Sequence, residues 1–454
     1  MKNYSVESLI AKGSFTCECG KTHSAHLKYA LICEKAVEKL SQYIEKLGGS
    51  KAYVLADENT VKAGKAALDN LEQSGIDYCI YIYESGIEPD DKTVGRAFLN
   101  FDYSCDIVFG IGSGVINDIC KIVSRTANLP YIIFATAPSM DGFASSTSSV
   151  IRDGLKVSVD SKCPDVVIGD LDILCKAPKI MAAAGLGDML AKYISICEWK
   201  IGSIVTGEYY CEEVADIIRF ALGKCVENAD KILSGNKEAV KSVMEGLVIS
   251  GIAADYAGVS RPVSGVEHYF SHIWDMRAVE FGTPANLHGI QCGIGTLLAV
   301  RCYELLKDFR PDKDYALSQF VNYNKESWLH KISEYLGSAG DVMIKNAVKS
   351  KLYNPEYFIK RLDNICNNWN NIIDTVNVEL PSSDYISEIL KITDAPVTSD
   401  EIGIDSGTNA LTFKMTKDIR DKYILSALLF DMGVLDNFAD KAYNNKIIIK
   451  EVGL

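Results

Sequence analysis

The sequence predicts an α/β fold: an N-terminal region built on an open, mostly parallel sheet, followed by an all-α region. Three observations support this prediction. Between Ala52 and Phe134, short runs with β-forming residues alternate with longer stretches of helical spacing. These runs are almost continuously apolar, which is typical of parallel strands covered by helices on both faces. After Pro178, helical periodicity dominates the rest of the chain.

The individual elements follow from the same patterns. Strands are expected at Ala52–Ala56, Tyr78–Ile82, Ile107–Gly110 and Tyr131–Phe134. Residues 141–176 are expected to form loops and a hairpin that turns at Asp153-Gly154. Helices are expected at Ile180–Trp199, Glu208–Leu233, Lys237–Ala257, Gly289–Leu306 and Ile419–Met432. Proline and glycine predict loops over residues 376–411. We therefore divide the chain into domains 1–176 and 177–454.

Composition and charge exclude several classes of protein. The 454 residues include 47 Lys+Arg and 60 Asp+Glu, for a net charge of −13, and 48% are hydrophobic. That apolar fraction argues against a disordered chain, and the acidic balance argues against a nucleic-acid or membrane-surface protein. Neither stretch without charged side chains, 126–140 or 281–300, has the continuous apolar length of a membrane span. We expect no signal peptide, a cytoplasmic location and reduced cysteines.

A glycine-rich turn follows one predicted strand. Gly110–Gly114 leads into a predicted helix over residues 115–127. Glycines let a ligand approach the backbone closely, and a helix N-terminus favours phosphate. Val115 stands where the third glycine of the Rossmann fingerprint would be. A tight turn without a ligand is therefore the alternative.

A second polar loop, residues 136–147, follows the next predicted strand. In open α/β sheets, ligands bind at the carboxyl ends of the strands. Hydroxyls of Thr136, Ser139 and Ser145 can donate to a phosphate or cofactor, and Asp141 can accept from a hydroxyl of a sugar or substrate. An ordinary solvated loop is the alternative.

Histidines are concentrated in one part of the sequence. Of the six, His268, His272 and His288 lie within 21 residues, and the first two share a helix face. Asp188 lies in a predicted apolar helix, where a charge is costly unless it is paired or ligated. Two imidazoles and this carboxylate can bind a divalent metal and leave a position open. Core histidines bonded to backbone are the alternative.

The N-terminal segment contains a second group of possible ligands, Cys17, Cys19, His23 and His26. These are zinc-binding residue types, but their spacing matches none of the usual structural zinc patterns. We favour a β-hairpin before the first helix over a metal site here.

Five segments together resemble the sn-glycerol-1-phosphate dehydrogenase family, within the superfamily of glycerol dehydrogenase, iron-type alcohol dehydrogenases and dehydroquinate synthase. They are Gly110–Asp118, Thr136–Ser145, Ala183–Lys192, Ser260–His272 and Leu287–Gly293. The resemblance implies a nucleotide-binding α/β domain and a helical domain with the active site between them. It covers residues 110–293, so the ends of the chain contribute little.

The resemblance also implies the ligands and the residues that hold them. The cofactor is NAD or NADP, with expected contacts from Asp57, Gly112, Ser113, Gly114, Val115, Ile116, Thr136, Ala137, Pro138, Ser139 and Ser145. One divalent metal per subunit, zinc or nickel, is expected on Asp188, His268 and His288. The substrate residues are expected to be Asp141, Asp188, Lys192, Arg261, Ser264 and His268. A carboxylate at Asp57 disfavours the 2′-phosphate of NADP, although dual use occurs in the family.

The implied activity is the reversible reduction of dihydroxyacetone phosphate to sn-glycerol 1-phosphate by a homodimer. His272 is a candidate proton relay, with metal-ligand support or helix packing as the alternative. Arg261, Ser264 and Lys192 are candidate phosphate donors, although Arg261 could instead pair with a structural carboxylate.

Three other functions compete with this one. Dehydroquinate synthase-like cyclases place a glutamate where this chain has Asp188. Glycerol dehydrogenase, which acts on unphosphorylated polyols, is disfavoured by residues 260–268. A non-catalytic nucleotide-binding protein is disfavoured because Asp188, His268 and His288 are all present.

Overall fold

A six-stranded parallel sheet forms the centre of the N-terminal region in a computed structural model, which describes residues 4–152 and 155–443. The strand order is β3-β10-β7-β6-β4-β5. Its strands are β3 (Tyr29–Cys33), β4 (Lys51–Asp57), β5 (Asp77–Tyr83), β6 (Ile107–Gly112), β7 (Tyr131–Ala135) and β10 (Val166–Asp170). Strands β6, β7 and β10 are fully buried, as expected for a sheet covered on both faces.

The four predicted sheet strands are confirmed, but β3 and β10 were not predicted. Residues 166–170 were assigned to a loop-and-hairpin excursion, yet β10 pairs with both β3 and β7. Each of these strands has only five residues, so pairing with sheet neighbours defines it more than local pattern does.

Two antiparallel hairpins lie outside this sheet. One pairs β1 (Phe15–Thr16) with β2 (Thr22–His23), which confirms the N-terminal hairpin, although a helix already precedes it. The other pairs β8 (Thr147–Arg152) with β9 (Leu155–Asp160), as predicted. Its expected turn, Asp153-Gly154, lies outside the described residues.

Helices cover the sheet and build the C-terminal region. Those up to residue 178 are α1 (Val6–Lys12), α2 (Leu40–Lys46), α3 (Thr60–Ala63), α4 (Lys65–Gln73), α5 (Asp91–Leu99), α6 (Gly114–Ala127) and α7 (Leu171–Leu174). Next come α8 (Lys179–Thr206), α9 (Glu212–Glu227), α10 (Lys237–Ala257), α11 (Val266–Phe281), α12 (His288–Glu304), α13 (Lys313–Val321) and α14 (Lys325–Leu336). The last are α15 (Gly340–Lys349), α16 (Pro355–Asn367), α17 (Trp369–Glu379), α18 (Ser383–Ile392), α19 (Asn409–Thr416), α20 (Leu425–Asp431) and α21 (Leu435–Tyr443).

The predicted loop over residues 376–411 is wrong in its first half. Helix α17 continues to Glu379, and α18 occupies Ser383–Ile392. The serine before α18 is its N-cap: the Ser382 side chain accepts from the Tyr385 N–H, so this polar serine pair starts a helix. Short 3₁₀ turns and loops fill the rest. The predicted helices Glu208–Leu233 and Ile419–Met432 are both longer than the observed α9 and α20.

Helix α8 is the central helix of the C-terminal region. By length and composition it could cross a membrane, but 83% of its most apolar window is buried inside the protein. It also carries Asp188 and Lys192, both fully buried. These features identify α8 as a core helix that carries buried charges.

Candidate active site

Two glycines bring helices α8 and α12 unusually close. A Cβ atom at Gly187 would lie 2.3 Å from the carbonyl oxygen of Gly289. One at Gly289 would lie 1.9 Å from the carbonyl oxygen of Ala184. Because only hydrogen fits at these positions, the crossing places the neighbouring side chains, Asp188 and His288, beside each other.

Four possible ligands meet at this crossing. One ligand atom each from Asp188, His268, His288 and Cys292 lies within 4.8 Å of all the others. His268 Nε2 is 3.5 Å from Asp188 Oδ1, and Cys292 Sγ is 3.5 Å from His288 Nε2. A carboxylate, two imidazoles and a thiol are a suitable donor set for zinc or another borderline divalent metal. The structure thus brings together the three predicted ligands, and the donor set fits a metal.

Cys292 was not predicted as a ligand from the sequence. It lies four residues after His288, so both side chains point from the same face of α12. That spacing is the signal that could have identified it.

Hydrogen bonds turn both histidine ligands towards the metal position. His268 Nδ1 lies 2.7 Å from Glu267 Oε1, and a carboxylate only accepts, so this nitrogen carries the proton. Ser271 Oγ donates to Gln291 Oε1 at 2.6 Å, which leaves it to accept from His288 Nδ1 at 3.0 Å. Both Nε2 lone pairs are therefore available for a metal.

The hydrogen-bond chain behind His288 continues to the β8–β9 hairpin. The Gln291 amide donates to Asp275 Oδ1 at 3.0 Å. The Lys156 ammonium, on β9, is 2.5 Å from Asp275 Oδ2. The β8–β9 hairpin thus helps to orient His288, a possible metal ligand in the helical region.

A buried lysine balances the carboxylates of the site. Lys192 Nζ donates to Asp141 Oδ2 at 2.7 Å, to Asp188 Oδ1 at 3.2 Å and to the Val263 carbonyl at 3.0 Å. Burial alone would raise the pKa of Asp188, but Lys192 and the imidazoles of His288 and His268 outweigh it and lower that pKa to about 2. Burial would lower the pKa of Lys192, but the two carboxylates raise it. Asp188 is therefore ionised at neutral pH.

The two polar loops lie at the carboxyl ends of β6 and β7 and contact each other. Ser113 Oγ is 2.5 Å from Ser139 Oγ and donates to the Ala137 carbonyl at 3.3 Å. The Thr136 N–H donates to the Gly112 carbonyl at 3.0 Å. The predicted residues 112–116 and 136–139 thus form one surface that ends at the N-terminus of α6.

This loop surface adjoins the ligand cluster directly. The Asp141 N–H donates to Asp188 Oδ2 at 2.9 Å. A Cβ at Gly185, one turn before Asp188 on α8, would lie 2.1 Å from the Pro138 carbonyl oxygen. The two polar loops and the four possible metal ligands therefore belong to one continuous site.

Three predicted site residues have structural partners of their own. Asp57 Oδ1 accepts from the backbone N–H groups of residues 59 and 60. Ser145 Oγ donates to the carbonyls of residues 142 and 147, and Lys121 donates to it. Arg261 Nη2 donates to Glu208 at 2.5 Å, which is the carboxylate pairing that the sequence left open.

Two cations from the C-terminal part of the chain, Arg420 and Lys422, were missed. Lys422 Nζ donates to the Ser264 carbonyl at 3.1 Å and lies 3.4 Å from its Oγ. Arg420 donates to Ser158 Oγ at 2.8 Å. Within residues 4–152 and 155–443, no carboxylate forms an ion pair with either. Desolvation, reinforced by Arg261 and Arg420, lowers the pKa of Lys422 to about 7, as expected for a cation without a counter-ion.

His272 lies at the edge of the cluster. Its ring centroid is 6.3 Å from that of His288. Burial and the nearby Arg420 lower the pKa of His272 well below its usual value, so its imidazole is neutral at neutral pH. A neutral imidazole both donates and accepts, as a relay must.

Comparison with known proteins gives consistent matches. The model of the iron-containing alcohol dehydrogenase family matches residues 31–178. A relative from Halalkalibacterium halodurans, named glycerol-1-phosphate dehydrogenase [NAD(P)+], is 34% identical over 63% of this chain and 74% of its own length. A Methanosarcina mazei protein of the same name is 36% identical over 56% of this chain and 69% of its own.

Solved structures show the same fold at lower identity. Glycerol dehydrogenase from Schizosaccharomyces pombe superposes with a TM-score of 0.59 and 17% identity, covering 92% of this chain and 91% of that one. A 1,3-propanediol oxidoreductase gives a TM-score of 0.61 and 16% identity, covering 91% and 98%. The expected combination of a parallel sheet and a helical C-terminal region is confirmed.

Proposed function

The chain belongs to the glycerol-1-phosphate dehydrogenase family, and we propose that it catalyses the reversible, metal-dependent reduction of dihydroxyacetone phosphate to sn-glycerol 1-phosphate with NADH or NADPH. The convergence of Asp188, His268 and His288 next to the two polar loops is the observation that carries this proposal. The complete set of predicted ligands next to these loops also argues against a non-catalytic protein.

The chemistry divides between the bound groups and the chain. When bound, zinc or nickel supplies a Lewis acid for the C2 carbonyl, and the nicotinamide supplies a hydride. Asp188, His268 and His288 hold the metal, with Cys292 in reach. Lys192 and Asp141, which are hydrogen-bonded to each other, bind a substrate hydroxyl. Asp188 and His268 also face the substrate.

Proton supply is assigned to His272. Its neutral imidazole lies beside His288, where it can pass a proton from solvent towards the substrate oxygen. The alternative, a residue that only packs against the metal ligands, predicts that its replacement affects metal affinity more than the pH profile.

The cofactor is placed along the loop surface. In the part of the chain that the structure describes, no side-chain cap occupies the backbone N–H groups at the start of α6, and a helix N-terminus of this kind favours binding of a pyrophosphate. We assign this surface to Gly112, Ser113, Gly114, Val115, Ile116, Thr136, Ala137, Pro138 and Ser139, with Ser145 at its edge and Asp57 at the adenosine ribose. We retain the proposed domain boundary between residues 176 and 177, which lie between α7 and α8.

The substrate phosphate is assigned to Lys422 and Arg420 beside Ser264. These cations have no carboxylate partner among the described residues, and Ser264 follows Val263, whose carbonyl binds Lys192. Lys192 remains a second donor. Because Arg261 Nη2 is already bonded to Glu208, Arg261 orients this segment in our proposal.

The remaining expectations concern the assembled protein. We place it in the cytoplasm as a homodimer. The fourteen cysteines, all within the described residues, are free thiols in the structure, in keeping with a reducing compartment.

One assay tests the proposed function. Metal-free protein is reloaded with Zn²⁺ or Ni²⁺ and mixed with NADH or NADPH and dihydroxyacetone phosphate; nucleotide oxidation is followed by absorbance. Parallel reactions with dihydroxyacetone and with the substrate of dehydroquinate synthase separate the two rival enzymes. We expect turnover with the phosphorylated triose and sn-glycerol 1-phosphate as product. Absence of turnover at saturating metal, or formation of the 3-phosphate enantiomer, would overturn the proposal.

A further inference from the structure

A second cluster of metal-ligand side chains shares no residue with the candidate active site. Cys17 and Cys19 belong to the turn of the N-terminal hairpin, and His23 ends β2. The fourth member, Cys211, is the residue before α9, 188 positions from His23 in sequence. His26, the fourth candidate that the sequence analysis named, is not part of this cluster and instead pairs with Asp255 on α10.

The spacing of these four groups matches a tetrahedral zinc site. With Zn–S bonds of about 2.3 Å and a Zn–N bond of about 2.05 Å, neighbouring sulfurs lie about 3.8 Å apart, and sulfur and nitrogen lie about 3.6 Å apart. The Cys17 and Cys211 sulfurs are 3.7 Å apart. His23 Nε2 is 3.4 Å from Cys19 Sγ and 3.5 Å from Cys211 Sγ. All four atoms lie within 4.8 Å of one another.

Surrounding groups prepare the histidine for a metal. His23 is fully buried, and its Nδ1 lies 2.5 Å from the backbone carbonyl of Tyr256, so this nitrogen donates. The Nε2 lone pair therefore faces the three sulfurs. A histidine that served only to fill the core would not need three thiols around its acceptor nitrogen.

The backbone and neighbouring side chains also suit thiolate ligands. Gly20, at φ +83°, permits the tight turn that presents both hairpin cysteines to one side. Cys211 stands at the N-terminus of the 16-residue helix α9, where the helix dipole favours a negative sulfur. The Tyr209 hydroxyl is 3.5 Å from Cys19 Sγ, and the Lys21 ammonium lies over the Tyr209 ring.

We propose that Cys17, Cys19, His23 and Cys211 bind one structural zinc ion. Three thiolates and one imidazole fill all four positions of a tetrahedral site, so no position stays open for a substrate. The ion would fasten the N-terminal hairpin to the start of α9 in the helical region. A Cys17–Cys211 disulfide is the competing use of these thiols, but their sulfurs are 3.7 Å apart, well beyond an S–S bond of about 2.05 Å.

Metal analysis of the full-length protein, purified without chelators, tests the proposal. We expect two zinc equivalents per chain when the protein is saturated with Zn²⁺, and one in Cys211→Ser. The control Cys366→Ser, which changes a cysteine on α16 outside both clusters, should retain two. His268→Ala should also retain one, but the zinc that it loses is the ion required for turnover. Cys211→Ser should remain active when metal-loaded and should unfold at a lower temperature than the control.

A second measurement uses only the wild-type protein, so its result does not depend on whether a variant folds. The native protein is titrated stepwise with a mercurial thiol reagent, and released zinc is detected with a colorimetric indicator. One zinc equivalent should be released as the three thiols that the ion protects react. The proposal is overturned if Cys211→Ser retains both equivalents, if wild type binds only the ion lost in His268→Ala, or if thiol counting shows a disulfide. Failure of the proposed dehydrogenase activity would leave these metal counts unchanged.

Discussion

Replacing Gly187 with alanine should damage the candidate active site without altering any ligand. The new Cβ would lie 2.3 Å from the Gly289 carbonyl oxygen, whereas ordinary contact begins at 3.4 Å, so α8 and α12 must separate by about 1.1 Å. Such overpacking costs about 1–3 kcal/mol of unfolding free energy. Asp188 and His288 are the adjacent residues, so the same shift separates two metal ligands, and a displacement of about 1 Å can reduce catalysis about 100-fold.

The assay combines kcat with dihydroxyacetone phosphate, zinc affinity by chelator competition, and thermal unfolding of the metal-free protein. Gly223→Ala on α9 is the matched control, because its Cβ meets nothing within 4 Å. That control should stabilise the helix by up to about 1 kcal/mol and leave kcat unchanged. The reasoning is refuted if Gly187→Ala matches the control in both kcat and zinc affinity.

Three further substitutions probe other parts of the site. His268→Ala should abolish stoichiometric metal binding at the active site, and an unchanged metal count by elemental analysis would contradict its role as a ligand. Lys192→Met breaks a fully buried ion pair, which costs about 3–5 kcal/mol at neutral pH. Burial alone would raise the pKa of Asp188, but Lys192, together with the imidazoles of His288 and His268, lowers it from 3.8 to about 2, so the stabilisation is present above pH 3.8 and is lost as the pH falls towards 2. The difference in unfolding free energy between metal-free wild type and Lys192→Met should therefore shrink on acidification, and a difference independent of pH would contradict the assignment. Lys422→Met removes about 1.5–3 kcal/mol of charge-assisted hydrogen bonding, so KM for dihydroxyacetone phosphate should rise at least about 10-fold. KM for unphosphorylated dihydroxyacetone should not change, and the exposed control Lys360→Met should alter neither value.

The sequence predicts the parts of the site whose chemistry conflicts with their surroundings. Asp188 was identifiable because a carboxylate on an apolar helix needs a partner, and His268 and His288 because histidines are scarce elsewhere in the chain. The glycine-rich turn was identifiable because it joins a buried strand to a helix. Each of these signals is local, and none of them extends over more than 21 residues.

Cys292 had a local signal, its spacing from His288, but the other missed features depend on contacts between distant segments. Cys211 completes a cluster with residues 17–23, and Lys422 lies beside Ser264 only because the C-terminal helices fold back over α11. Strand β10 is defined by its pairing with β3, more than 130 residues earlier. Single-sequence patterns contain no information on such partners, since the residues next to Cys211 and Lys422 in the sequence are ordinary.

The protonation states of the possible ligands determine how many protons the site releases when a metal binds. Asp188 is ionised at neutral pH, and burial lowers the pKa of His288, so neither has a proton to release when a metal binds. Burial raises the pKa of the Cys292 thiol well above its usual value, so this sulfur keeps its proton until a metal displaces it. Calorimetric titration in two buffers of different ionisation enthalpy gives the number released. A difference of one proton between wild type and Cys292→Ala would mean that the sulfur joins the coordination sphere, and equal release would mean that it only lines the site.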